Sequence, residues 1–143
     1  GRSVLDRLWI DQVTQRGNHH VLLIAEGLFM YLERDEVIRL FQAFSARFYR
    51  SQIALEVVTE KYTRGMWKKI IILKMKKEIG LDSGSSYHFG VRNARELESF
   101  ASGIRVVEEW SYVKDPDIRP RLFKYLGFSR TQWTIIATIN ENR

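Results

Sequence analysis

The sequence predicts an α/β fold, a mostly parallel sheet with helices on both faces, from three observations. Short apolar runs bounded by turn residues occur at residues 21–25 and 52–58. Segments with apolar residues at helical spacing lie between and around such runs. The two kinds of segment alternate along the chain, as they do where helices carry parallel strands back over a sheet. The 143 residues are expected to form one domain, residues 1–143.

The run at residues 21–25 anchors the pattern. Val21, Leu22, Leu23, Ile24 and Ala25 pass without a polar break into Glu26 and Gly27. An unbroken apolar run of this length reads as a strand buried on both faces. A buried helix segment is the competing reading, but β-branched Val21 and Ile24 and the stop at Gly27 favour the strand. Glu26 then falls at the carboxyl end of a strand, where open α/β sheets bind their ligands. Gly27 lets the backbone turn or a ligand approach closely.

The other elements follow in order. Val4, Leu5, Leu8, Trp9 and Val13 give a loop and short helix ending near Gly17. Val37, Phe41, Phe44 and Phe48 step by four, three and four through a helix over residues 33–49. Glu33, Asp35 and Glu36 stand at that helix's positive end. Residues 52–58 are a second buried strand that also carries an acid, Glu56. Residues 66–79 mix Trp67, Ile70, Ile71, Leu73 and Met75 with five lysines and read as a helix. A polar loop containing Gly80, Gly84 and Ser86 follows. Asn93 and Glu96 resemble a capping box for a helix that buries Ala94, Leu97 and Phe100 and stops at Gly103. Residues 105–113 form a third strand with Val106, Trp110 and Tyr112 on one face. After the break at Asp115 and Pro116 come a short helix at 120–126 and a last strand at 132–139.

Composition narrows the function classes. Hydrophobic residues make up 45% and aromatics 13%, the make-up of a folded globular chain. No apolar run approaches the roughly 20 residues of a membrane span, so no membrane partner is expected. The absence of cysteine excludes disulfides and thiolate metal sites and fits a cytoplasmic protein. No spacing of His, Asp and Glu points to a metal site. The net charge of +6 permits anionic partners but falls short of a nucleic-acid signature. The chain opens at Gly1 without Met and has few strands for a doubly wound sheet, and it reads as part of something longer.

The residue order Ile24-Ala25-Glu26-Gly27-Leu28-Phe29-Met30-Tyr31-Leu32 closely resembles the fourth-strand motif of the leucine carboxyl methyltransferase family. The branch it most resembles is the TcmP-like O-methyltransferases of polyketide biosynthesis. Ser3-Val4-Leu5-Asp6, Trp9-Ile10-Asp11, Phe89-Gly90-Val91, residues 106–110 and residues 133–139 match further family segments in the same order. The resemblance implies the C-terminal half of a class I, Rossmann-like methyltransferase domain that uses S-adenosylmethionine. The N-terminal half with its glycine-rich loop has no counterpart here, so the piece by itself is expected to be inactive.

The resemblance also implies roles. Glu26 would meet the cationic end of the cofactor, Ser3 and Val4 would flank its adenine, and Gly27 and Leu28 would line the site. Tyr31 would face a small-molecule acceptor of the methyl group, a carboxylate or a hydroxyl. The bland readings are a capping or ion-pairing Glu26, a core tyrosine and a plain loop at Ser3. His88 follows the serine-rich loop and is placed to act as a base toward an acceptor oxygen. His19 and His20 fall at the opposite end of the first strand and read as surface. The lysine-rich segment reads as a solvated helix face, a lid hinged at Gly65 and Gly80, or a surface for nucleic acid. Two other classes stand beside the enzyme: a nucleic-acid or partner-binding module, and a degenerate half-domain that forms a homodimer through an open sheet edge.

Overall fold

In the computed structural model the described residues are 3–15, 17, 20–69, 86–111 and 132–141. Helix α1 (Leu8–Gln15) buries Ile10 and sets the Trp9 ring edge-on to Phe44, with centroids 5.9 Å apart. Strand β1 (Leu22–Ala25) leads into a 3-10 turn, Phe29–Tyr31. Helix α2 (Arg34–Arg47) has Asp35 and Glu36 in its first turn and Arg47 in its last, matching the helix dipole at both ends. The Glu36 carboxylate also accepts the free Glu33 N–H at 2.9 Å. Strand β2 (Ser51–Val58) follows, then a 3-10 turn at Glu60–Thr63. A second 3-10 segment, Ala94–Ser99, precedes β3 (Ile104–Trp110) and β4 (Gln132–Ile139).

The sheet order is β1-β2-β4-β3. Among the described strands only β1 and β2 run parallel; β4 lies antiparallel to both β2 and β3. The sheet is therefore mixed, which corrects the mostly parallel sheet expected from the sequence. An alternating list of elements does not fix the direction in which the last strand enters. In β4 Trp133, Ile135, Ala137 and Ile139 are buried, and of the residues between them Gln132, Thr134 and Ile136 are half-buried while Thr138 is buried, so the alternation of a strand with one wetter face holds up to Ala137.

One core is built on one face of this sheet. Leu23 and Ala25 pair with Ile53 and Leu55, which pair in turn with Ala137 and Ile135. Val37, Leu40, Phe41, Phe44 and Phe48 close over that layer, joined by Leu97 and Phe100. Phe41 touches Phe29, Phe44 and Phe100, with ring centroids between 5.8 and 6.0 Å. Burying each such ring is worth about 2 to 3 kcal/mol.

On the opposite face Leu22 and Ile24 are 62% and 67% exposed. Strand β1 is thus covered on one face only among the described residues, contrary to the two-sided burial its sequence predicts. Likewise, the described helices all feed the same core and do not cover both faces.

Two local departures have clear causes. A β-bulge between Val106 and Glu108 inserts Val107 and reverses the alternation beyond it. Val106 therefore packs against the core while Trp110, expected on the same face, is exposed. The helix expected after Asn93 is 3-10, although its cap is as read: the Asn93 side chain accepts from the Glu96 N–H at 3.2 Å. Of the predicted lysine-rich helix, only its start, residues 66–69, is described, and it is helical. The remainder of that helix, with Gly80, and the 120–126 helix lie outside the described residues, as does His19.

Candidate functional site

The parallel strands β1 and β2 end side by side, and the turn after β1 is held in place there. Gly27 adopts φ of 58°, a left-handed conformation that favours glycine. Its N–H donates to the Glu56 carboxylate at 2.9 Å, so an acid of β2 fixes the turn that follows β1. Glu26 is exposed at the strand end and makes no hydrogen bond or ion pair with another described residue.

Beside this turn lies a largely apolar cavity of about 370 Å³. Ser3, Val4, Trp9, Ile24, Leu28 and Phe29 are among the residues that line it. The Trp9 Nε1–H donates to the Val4 carbonyl at 2.9 Å, and the Ser3 hydroxyl accepts from the Leu5 N–H at 3.2 Å. These bonds fix the loop that walls the cavity, and they engage the Ser3 hydroxyl in its own turn. Three residues expected at a cofactor, Ser3, Val4 and Leu28, thus share one cavity. Glu26 and Gly27 stand outside that wall, at the end of the strand that forms part of it.

A second cluster gathers around the 3-10 turn Phe29–Tyr31. Residues 88 to 91 are stapled against it and against the end of β2. The His88 and Phe89 N–H groups both donate to the Met30 carbonyl, at 2.8 and 3.2 Å. The Val91 N–H donates to the Val58 carbonyl at 3.0 Å and the Glu60 N–H to the Val91 carbonyl at 3.1 Å. This approach is close enough that a Cβ on Gly90 would sit 2.9 Å from the Val58 carbonyl oxygen and from Glu60 backbone atoms. Underneath, the Arg34 guanidinium lies 5.4 Å from the Phe100 ring centre, donates to the Gly90 carbonyl at 3.3 Å and pairs with Glu96.

The stapled segment brings Tyr87 against Tyr31, with ring centroids 5.8 Å apart. Burial pushes the Tyr87 phenol above its ordinary value, and nearby Tyr31 and Glu56 push it the same way. It stays a protonated hydrogen-bond donor through neutral pH. His88 sits next in the chain, its Nδ1 2.7 Å from Glu33 and its Nε2 3.2 Å from the Ser86 hydroxyl. The structure therefore brings Tyr31 and His88 into one cluster, and it adds Tyr87, Ser86, Glu33 and Glu56 to them.

Sequence reasoning gave those four no role at a site. An acid inside an otherwise apolar strand was the signal available for Glu56. The others depend on residues 86–91 folding back over the turn, which no local pattern announces. His20, at the start of β1, is exposed and apart from this cluster, as expected.

No family model matches the chain. The tetracenomycin polyketide synthesis O-methyltransferase TcmP of Streptomyces glaucescens is 28% identical over 130 residues, which cover 89% of this chain and 44% of that protein. A DUF574 family protein from Streptomyces avermitilis, known from a crystal structure, superposes with a TM-score of 0.58 at 13% identity. The match covers 96% of this chain and 53% of that one, and it speaks for the fold alone. The chain thus spans about half the length of these two proteins. In sequence it is similar to an O-methyltransferase of the TcmP type, the branch that the motif around Glu26 resembles.

Proposed function

We propose that this chain is part of an S-adenosylmethionine-dependent O-methyltransferase that methylates a carboxylate or hydroxyl oxygen of a small, polyketide-like molecule in the cytoplasm. The observation that carries the reading is the 28% identity to TcmP over 130 residues. The geometry is consistent with it: an apolar cavity beside a strand that ends in a carboxylate.

Methyl transfer from a sulfonium to oxygen is an in-line displacement, so the protein's task is to align the partners and exclude water. When bound, S-adenosylmethionine supplies the electrophilic methyl group. The cavity walled by Ser3, Val4 and Leu28 suits a flat, weakly polar adenine. Glu26, with no partner among the described residues, offers its charge to a cationic ligand group. Gly27, pinned by Glu56, leaves the backbone open at that edge. Tyr31, backed by Tyr87, walls the acceptor side, and His88 supplies a base there. Because the chain spans 44% of TcmP, catalysis is assigned to the longer protein and not to these 143 residues alone.

Calorimetric titration of S-adenosylhomocysteine into the longest form containing this chain, with Glu26→Ala beside it, tests the reading. Affinity is expected to fall tenfold or more in the variant, about 1.4 kcal/mol. Equal affinity in the two would remove Glu26 from the cofactor site. Absence of binding by the longer unaltered protein would overturn the methyltransferase reading.

A further inference from the structure

The positive charge of this chain is concentrated in one place. Residues 61–77 hold seven of its 23 Lys and Arg and none of its 17 Asp and Glu. Taking those seven away leaves 16 bases against 17 acids, so the whole net charge of +6 comes from one run. Charge of one sign gathered on one surface draws a partner of the other sign, which an even scatter does not.

Where that run begins, the fold joins it to a distant cation and to exposed apolar side chains. Glu60 lies 3.0 Å from Arg64 and 3.9 Å from Arg92, so two guanidinium groups meet around one carboxylate. Its backbone is fixed there by the bond from the Glu60 N–H to the Val91 carbonyl. The arginine side chains are 74% and 73% exposed and that of Glu60 only 24%, so the cations face outward and the acid does not. The Lys61 ammonium lies 4.8 Å from the Tyr62 ring centre and 5.5 Å from that of Trp67. Tyr62 is buried and stands perpendicular to Trp67 at 6.0 Å, which holds the half-exposed indole at the surface beside the exposed Met66.

We propose that Lys61, Arg64, Met66, Trp67 and Arg92 form a docking surface for an acidic protein that presents carboxylates around an apolar side chain. The proposal does not rest on the methyltransferase reading. Trp, Met and Arg are enriched at the centres of protein interfaces, and Trp and Arg supply many of their hot spots. Each guanidinium has five N–H donors, so Arg64 and Arg92 can hold Glu60 and still pair outward with separate carboxylates. Arg92 directly follows the segment that carries His88, so a bound partner stands beside the Tyr31–His88 cluster.

Two other polyanions fit this surface less well. A nucleic acid brings closely spaced phosphates, which Glu60 opposes from among the cations. One face of Trp67, where a base would stack, is also taken by Lys61. A lipid surface calls for a broad apolar face, and among the described residues of this patch only Met66 and Trp67 are exposed and apolar.

Calorimetric titration of the longest form containing this chain tests the surface with four probes. They are a peptide of glutamates with leucines at helical spacing, polyglutamate of the same charge, oligothymidylate, and vesicles of phosphatidylserine and phosphatidylcholine. The leucine–glutamate peptide is expected to bind tightest, about tenfold more tightly than polyglutamate, and to weaken as salt is raised. Met66→Glu, Trp67→Ala and the double variant Arg64→Gln, Arg92→Gln should each weaken it about tenfold or more, with unchanged circular dichroism spectra. Arg50→Gln, at the opposite end of β2, should leave binding as it is. Because Trp67 packs on Tyr62, Met66→Glu decides the outcome if Trp67→Ala alters the spectrum. No binding of the peptide, or polyglutamate binding equally well, would overturn the proposal. So would oligothymidylate or vesicles binding as tightly as the peptide, a Met66→Glu variant that binds unchanged, or an equal loss in Arg50→Gln.

Discussion

The Gly27 N–H donates to the Glu56 carboxylate at 2.9 Å, binding the turn that leaves one strand to the body of its parallel neighbour. That bond decides where the β1 edge ends and hence where Glu26 stands. Glu56→Ala is expected to cost about 1 kcal/mol, the net worth of one hydrogen bond. Glu56→Gln, which keeps an acceptor oxygen, should lie close to the unaltered protein. Urea unfolding of the three forms measures the difference.

The conformation of the same turn can be probed separately. Nothing stands within 4 Å of where a Cβ on Gly27 would point, yet φ is +58°. Gly27→Ala should therefore lose about 1 to 2 kcal/mol through backbone conformation alone. A loss well above that in the same urea experiment would mean that the turn contacts more than the described residues.

Alkaline pH should weaken the Tyr31–Tyr87 cluster. The folded Tyr87 phenol titrates above the ordinary value of 10.0, pushed up first by burial and then by Tyr31 and Glu56. The folded state thus holds its proton more tightly than the unfolded chain does. The stability this gives is complete below pH 10.0 and is lost as pH rises through the folded value. Thermal unfolding scanned from pH 9 to above 10 should show a steeper fall for the unaltered chain than for Tyr87→Phe.

At the acid end the group to watch is Glu96. Burial alone would raise its carboxyl, but bonds from the Arg92 N–H and from the Arg34 side chain outweigh burial and leave it below the ordinary 4.5. A carboxyl lowered on folding stabilises above 4.5, and that stability is lost as pH falls through the folded value. Because Arg34 also lies over Phe100, Arg34→Met should keep the packing, lose the charge and flatten the acid limb of the stability profile.

Gly103 and Asn140 form a further joint. The Asn140 amide donates to the carbonyls of Ser45 and Phe48, at 2.6 and 2.8 Å, and so caps the open end of α2. Its backbone N–H donates to the Gly103 carbonyl at 2.8 Å. A Cβ at Gly103 would run into the Asn140 side chain, and φ there is +86°. Asn140→Ala should cost about 3 kcal/mol because buried carbonyls lose their donors. Gly103→Ala should cost at least as much, which thermal or urea unfolding reads directly.

How far the sequence disclosed this molecule depended on the range of each interaction. The stepping of Val37, Phe41, Phe44 and Phe48 disclosed α2, because helical period is local, and the apolar run to Ala25 disclosed β1. The direction of β4 was not legible, because it is set by strand neighbours far away in the chain. The face of Trp110 was misread because one inserted residue, Val107, reverses everything after it. At the candidate site, Glu26, Gly27, Tyr31 and His88 stood out through motif or residue type. Glu33, Tyr87 and Ser86 did not, since they meet His88 or Tyr31 only after the stapling of residues 88–91 to Met30 and Val58.

The placement of β4 has a bearing on how the molecule comes into being. It is the last in sequence of the four described strands, yet it lies between β2 and β3 and joins them. Among the described residues, β3 has no strand beside it until residues 132–139 emerge, and β2 has only the four residues of β1. Between the emergence of β2 and that of β4 these described strands therefore hold unpaired edges, a state prone to wrong pairings. The described strands become one sheet only when β4, with Trp133, Ile135, Ala137 and Ile139 on its core face, pairs with β2 and β3.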